Sequence, residues 1–324
     1  MNFVENIHAF VANSAQTELV VGNQVGSGRV LAFDQDCLDR FCTLMRPVRI
    51  RARIRKITIA CFFTRAASRG MVEYLSTIWG LEHLILHIYP GNLVNEGGIY
   101  ILRKIGVRIG LRGISIEDQR HSAVVARSDT TYERIFSSLN GAHYDCLQSL
   151  SIGNCYVETP TFELLVARLE DLPNLRKFKY EMLVPGQEYW RDCVNITPAM
   201  TAALLTSLRK SSVYLQELVL QGFLLGRETD RPFAELLTDR TLRLTHLQIS
   251  TYPAGDVRTT SPFSDAVMMA AIFNNTSLLT VSLPTTHRTA FVDLPLIEWR
   301  NNLLSKTGFQ INGSDLWRPL PLQF

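Results

Sequence analysis

Lysine is scarce in this chain, at six of 324 positions, although lysine and arginine together number 33. Arginine therefore carries nearly all of the positive charge, and its planar fork suits carboxylate or phosphate. Codon usage gives the same skew, so the excess alone names no ligand. The formal charge of +3 is too small to imply a polyanionic partner. Cysteine is also sparse. Cys37, Cys42, Cys61, Cys146, Cys155 and Cys193 contain no C-x-x-C pair and do not reach disulfide-scaffold density. They read as reduced, mostly buried thiols, which predicts an intracellular, cytoplasmic setting.

No apolar run reaches the ~18 residues of a membrane span. The opening segment, MNFVENIHAFVANSAQ, lacks a basic stretch and an unbroken apolar core, so no secretory leader is expected. The N-x-S/T triplets at Asn195, Asn274, Asn275 and Asn312 are accordingly read as unused. The loop from Gly22 to Gly28 has neither G-x-G-x-x-G nor G-x-x-x-x-G-K-[ST], and reads as a turn rather than a phosphate cradle. A G-x-S-x-G elbow and an aspartate cluster suited to Mg²⁺ are missing as well.

What is present is a recurring apolar pattern. Leu147-x-x-Leu150-x-Ile152-x-x-Cys155-x-Val157 places two side chains of a short strand inward, with Leu147 entering before it and Cys155 re-entering after it. A buried thiol there acts as a small hydrophobe. The same L-x-x-L-x-L spacing returns at Ile54, Leu81, Leu175, Leu215, Leu244 and Leu278, with a weaker copy read at Ile109-x-Leu111 and a degenerate one at Phe309-x-Ile311. Several copies lie about 25 to 29 residues apart, the length of one strand–helix unit. The longer steps hold insertions at 113–130, 184–196 and 251–262.

Between the strands lie helical patterns that open on proline: Thr159-Pro160, Thr197-Pro198, Arg231-Pro232, Ser261-Pro262 and Leu294-Pro295. Proline fits the first helical turn because its missing N–H has no helical partner there. Ahead of the repeats, Phe3, Ile7, Phe10 and Val11 share a helical face. A second helix is expected from an Asp34 or Asp36 cap to Pro47, burying Leu38, Phe41, Cys42 and Met45. Arg49, Arg51, Arg53 and Arg55 alternate with smaller residues, and in a strand they would share one face.

Taken together, these motifs resemble the long, helix-bearing leucine-rich repeats of the ribonuclease-inhibitor type, over roughly residues 50–312. The resemblance implies an α/β solenoid, a horseshoe with parallel strands on its concave face and helices on its convex face. Residues 1–48 would form an N-terminal cap or accessory module and residues 49–324 the repeat domain.

In that architecture the residues between inward apolar positions make a surface. The sequence assigns to it Lys56, His83, His87, Arg108, Arg112, Lys177, Lys179, Glu217 and Gln248, basic toward the N-terminal half. The expected function is a non-catalytic scaffold that binds a protein partner, an acidic one, through this concave face. Alternatives are a substrate-recognition subunit of a ubiquitin ligase, which would need an adaptor-binding helix pair in residues 1–46, and an effector that targets signalling components. Nucleic-acid binding through Arg49–Lys56 ranks last. No cofactor or metal is expected: His83 and His87 lie four residues apart on a strand, ~13 Å, too far to share one ion. Cys155, at a repeat core position, reads as inert rather than nucleophilic.

Overall fold

The computed structural model describes residues 3–22, 32–89, 92–119, 130–141, 144–155, 157–182, 197–211, 214–223, 225–239, 241–250, 265–282 and 294–307. The loop beyond Gly22, the inserts at 184–196 and 251–262, and Phe309-x-Ile311 lie outside them.

Among the described residues nine parallel strands form one sheet in strict chain order: β1 (Glu18–Gly22), β3 (Lys56–Ala60), β5 (His83–Ile88), β6 (Gly113–Asp118), β7 (Ser149–Cys155), β8 (Lys177–Met182), β9 (Glu217–Gln221), β10 (His246–Ser250) and β11 (Thr280–Ser282). Parallel neighbours need a crossover, and helices supply it. These are α4 (Arg65–Leu75), α5 (Asn92–Arg108), α6 (Thr131–Ser138), α7 (Thr159–Leu169), α8 (Pro198–Ser211), α9 (Arg227–Thr238) and α10 (Asp265–Asn274), with α11 (Leu294–Thr307) after the last strand. Sequential parallel strands, each returned by a helix, are the arrangement of a leucine-rich-repeat-like solenoid.

The register aligns the inward residues into two continuous rows. Leu19, Ile57, Leu84, Ile114, Leu150, Phe178, Leu218, Leu247 and Val281 are successive partners. Two residues on, Ile59, Leu86, Ile116, Ile152, Tyr180, Leu220 and Ile249 form the second row, all nearly or fully buried. A one-residue slip would turn either row outward, so burial fixes the register.

Residues 1–48 contribute to the same sheet, since β1 pairs with β3 from Glu18↔Lys56 to Gly22↔Ala60. Helix α1 (Phe3–Ala12) buries Ile7 and Phe10, whereas Val11 faces solvent. Asn6 ties it to the strand by donating from Nδ2 to the Gly22 carbonyl at 2.8 Å. Helix α2 (Gln35–Leu44) is capped by Asp34, whose side chain accepts from the Cys37 N–H, as the sequence predicts. A two-stranded ribbon of β2 (Ala32–Phe33) and β4 (Phe62–Phe63) packs Phe33 against Phe63, ring centroids 4.7 Å apart and planes tilted by 40°, with Phe41 edge-on to Tyr74 at 4.8 Å.

Three sequence expectations are corrected. The strand read at Ile109-x-Leu111 lies instead at 113–118, because α5 runs on to Arg108 and the fitting pattern is Leu111-x-x-Ile114-x-Ile116. Arg49 to Arg55 do not form a strand. Pro47 starts the short helix α3 (Val48–Arg51), and β3 begins only at Lys56. Pro232 sits inside α9 rather than at its start, since the helix opens earlier, after Gly226, whose N–H donates to Thr229 Oγ1. Proline does lie in the first turn of α7, α8 and α11.

Candidate functional site

Alternation along each strand sends every second side chain away from the helices. The first outward row reads Glu18, Lys56, His83, Gly113, Ser149, Lys177, Glu217, His246 and Thr280 in register. The second reads Thr58, Ile85, Ser115, Ser151, Lys179, Val219, Gln248 and Ser282. Of the residues assigned from sequence, Lys56, His83, His87, Lys177, Lys179, Glu217 and Gln248 share this face. Arg108 does not: it ends α5 in the helix layer and pairs with Glu73 of α4 at 2.7 Å. Arg112 precedes β6 by one residue and stands on the sheet's leading edge, where the chain comes into the strands. Both misplacements follow from the slipped reading of β6.

The correct register brings Glu117 onto the face, and with Glu18 and Glu181 it changes the electrostatics. Lys56 pairs with Glu18 at 3.1 Å, Lys177 with Glu217 at 2.8 Å and Lys179 with Glu181 at 3.0 Å. His87 Nε2 meets Glu117 at 3.1 Å. The expected basic half is therefore charge-balanced. The miss has a simple cause, as most of these carboxylates come from a neighbouring strand. Only Glu181 is close in sequence to its partner.

A depression of about 430 Å³ lies over β5–β7, floored by Gly113, Ser115, Ser149 and Ser151 and flanked by Lys56, His83, Glu117 and Lys179. Its depth comes from small side chains on adjacent strands. The His83 ring lies over Gly113: a Cβ there would fall 2.0 Å from His83 Nδ1, so a larger residue would displace the ring. Burial holds the His83 pKa below its ordinary value, with Lys56 and Arg112 adding to that shift and Glu82 opposing it. Glu117 is lowered chiefly by the hydrogen bond from His87, then by the charges of His87, Lys56 and Lys179. The His87 side chain is only 9% exposed, and its Nδ1 has no partner among the described residues. The hydroxyls of Ser115, Ser149 and Ser151 likewise make no side-chain hydrogen bond to any described residue. The site thus offers hydroxyls and balanced ion pairs, held in place by a sheet.

At the end of β7, Asn154 adopts φ 54°, an excursion that asparagine tolerates, where the register with β8 shifts. Cys155 then turns fully inward and accepts from Tyr180 Oη at 3.6 Å, with both groups buried. Burial raises the Tyr180 pKa well above its ordinary value. The structure thus makes Cys155 a core thiol, as its place in the repeat predicts. Among the described residues no three His, Cys, Asp or Glu side chains gather as metal ligands would, and no helix is long and apolar enough to cross a membrane.

The chain matches no known family profile and no curated protein sequence. Among solved structures, the tropomodulin C-terminal domain of Caenorhabditis elegans is similar at 19% identity, covering 66% of this chain and 98% of that chain, with a TM-score of 0.36. A likeness of that size carries no argument, so the fold assignment rests on the sheet itself.

Proposed function

We propose that this chain is a non-catalytic, intracellular scaffold that binds a protein partner on the outward face of its parallel sheet. The observation that carries the reading is the depression over β5–β7, with its row of serine hydroxyls and no described element covering it. Side chains fixed by a hydrogen-bonded sheet lose little conformational entropy when a partner docks. The small floor residues let a partner's backbone or side chain come close to the strands. Because the lysines are already paired, the face recognises its partner through hydrogen bonds and shape more than through net charge. An acidic partner is therefore not what this face favours.

The ubiquitin-ligase alternative has less support. It needs a free helix pair near the N-terminus, and the apolar residues of α1 and α2 (Ile7, Phe10, Leu38 and Phe41) are spent in this chain's own core.

The test fills the depression. Ser149→Arg with Ser151→Arg is expected to abolish capture of the partner that the wild-type chain retains from native extract, while leaving the circular dichroism spectrum unchanged. Arg69→Glu with Arg103→Glu, on the exposed sides of α4 and α5, is expected to leave capture intact. Equal capture by the filled variant and the wild type would place the partner elsewhere.

A further inference from the structure

The positive charge missing from the sheet face stands on the leading edge of the sheet. A row of backbone hydrogen bonds fixes that edge: Glu82 N to Arg55 O at 2.8 Å, Arg112 N to Glu82 O at 2.9 Å, Gln148 N to Arg112 O at 2.8 Å and Arg176 N to Gln148 O at 2.7 Å. Arg55, Arg112 and Arg176 therefore occupy alternate steps of one line, all exposed. With neighbouring strands about 4.8 Å apart, consecutive arginines are about 10 Å apart. None of the three forms an ion pair with a described residue. Several other arginines are neutralised, Arg108 by Glu73, Arg134 by Glu96, Arg168 by Asp171, and Arg209 by Glu235 and Asp239, and what sets the edge apart is that its three arginines stand in one line at a regular interval.

A second, independent feature lies at the same edge. Trp79 is 98% exposed, the most exposed of the large apolar side chains among the described residues. Arginines pack against its turn: Arg51 Nη1 donates to Thr77 Oγ1 at 3.1 Å, and the Arg55 guanidinium lies beside Gly80, where a Cβ would collide with it. A large apolar ring so fully exposed beside unpaired cations is the composition of an anchoring spot rather than of an inert surface.

We infer that the leading edge, from Trp79 along Arg55, Arg112 and Arg176, docks an acidic segment of a partner protein whose carboxylates recur about every 10 Å. Arginine forks take carboxylates two bonds at a time. An acidic residue at every third position of a polyproline II segment recurs at about 9.3 Å on one face and so matches the row. Trp79 covers an apolar or prolyl side chain at the end of that segment. A nucleic-acid backbone fits less well. Its charges come at every nucleotide, and Glu82 between Arg55 and Arg112, with Asp145 exposed nearby, would meet phosphate.

The test uses the full chain and a fluorescent Glu-Pro-Pro repeat peptide, read by anisotropy at low salt, with a Gln-Pro-Pro repeat and an oligo(dT) of equal charge as comparisons. The acidic peptide is expected to bind and the glutamine peptide not to. Combined Arg55→Glu, Arg112→Glu and Arg176→Glu should weaken binding about tenfold or more. Trp79→Ala should weaken it severalfold, and Arg69→Glu with Arg103→Glu should leave it within about twofold. If the charge reversals disturb folding, the three Arg→Gln substitutions report the same loss in smaller measure. Absence of peptide binding, equal loss in the helix-layer control, or oligo(dT) binding as tightly as the peptide would each overturn the inference.

Discussion

Two surfaces of the sheet, built from adjacent positions of the same repeat, use charge in opposite ways. On the outward face each lysine has a carboxylate within reach, and the pairs Lys56–Glu18, Lys177–Glu217 and Lys179–Glu181 leave a polar, balanced surface. One residue earlier in the repeat, on the leading edge, Arg55, Arg112 and Arg176 have no such partner among the described residues. The difference is one of geometry. Carboxylates on the face mostly meet lysines of the flanking strands, whereas on the edge the intervening steps are Glu82, Gln148 and Gln216, and Glu82 makes no ion pair with a described residue. A repeat can thus carry a hydrogen-bonding face and a charged rim without either cancelling the other.

The largest effect that sharpens this comparison lies beneath both surfaces. Leu150 is fully buried in β7, and its neighbour Ser151 points outward over the depression. Leu150→Ala is expected to cost about 2–5 kcal/mol in urea unfolding, and Ser151→Ala under about 0.5 kcal/mol. Similar costs would mean that the two sides of the strand are not as distinct as described. Next comes Arg53, an arginine near the edge that does have partners. It donates to the Phe10 and Asn13 carbonyls, and its guanidinium lies 4.5 Å from the Phe10 ring centroid. Arg53→Ala should cost about 1.5–3 kcal/mol, because it unties α1 from the sheet. Arg55→Ala, lacking such bonds, should cost little.

A smaller effect concerns His83. Burial lowers its pKa in the folded chain, so the unfolded chain takes up the proton first as pH falls. Stability contributed by neutral His83 is full above its unfolded pKa and is lost as pH drops toward the folded value. Gly113→Ala should push the ring off β6 and raise the His83 pKa, visible in an NMR titration. An unchanged titration would show that the ring does not depend on Gly113. The smallest effect is that of the exposed pair Lys177–Glu217, at 2.8 Å with side chains 58% and 34% exposed. A double-mutant cycle should return a coupling of about 0.2–1 kcal/mol that fades with salt.

The spacing L-x-x-L-x-L was enough to place the strands at Leu84, Leu150, Phe178, Leu218 and Leu247, because burial on one side of a strand leaves a period that sequence displays. It failed at β6, where Ile109 and Leu111 follow an amphipathic helix and mimic a strand start. That slip carried Arg108 and Arg112 onto the wrong surface. The alternating arginines before β3 misled for another reason. A period of two is strand-like, but Pro47 and the pull of Phe10 and the α1 carbonyls set the local conformation. The charge balance of the face was least legible, because Glu18 and Lys56 or Lys177 and Glu217 meet only after the strands align. The depression has the same origin, arising from small residues that are distant in sequence and adjacent in register.

The central claim is that the outward face of the sheet is where a protein partner sits. Hydrogen–deuterium exchange on the chain with and without its co-purified partner tests it most directly. Binding is expected to slow exchange at 83–88, 113–118 and 149–155, and to leave α7 and α8 unchanged. Protection confined to those helices, with the strands unaffected, would contradict the account.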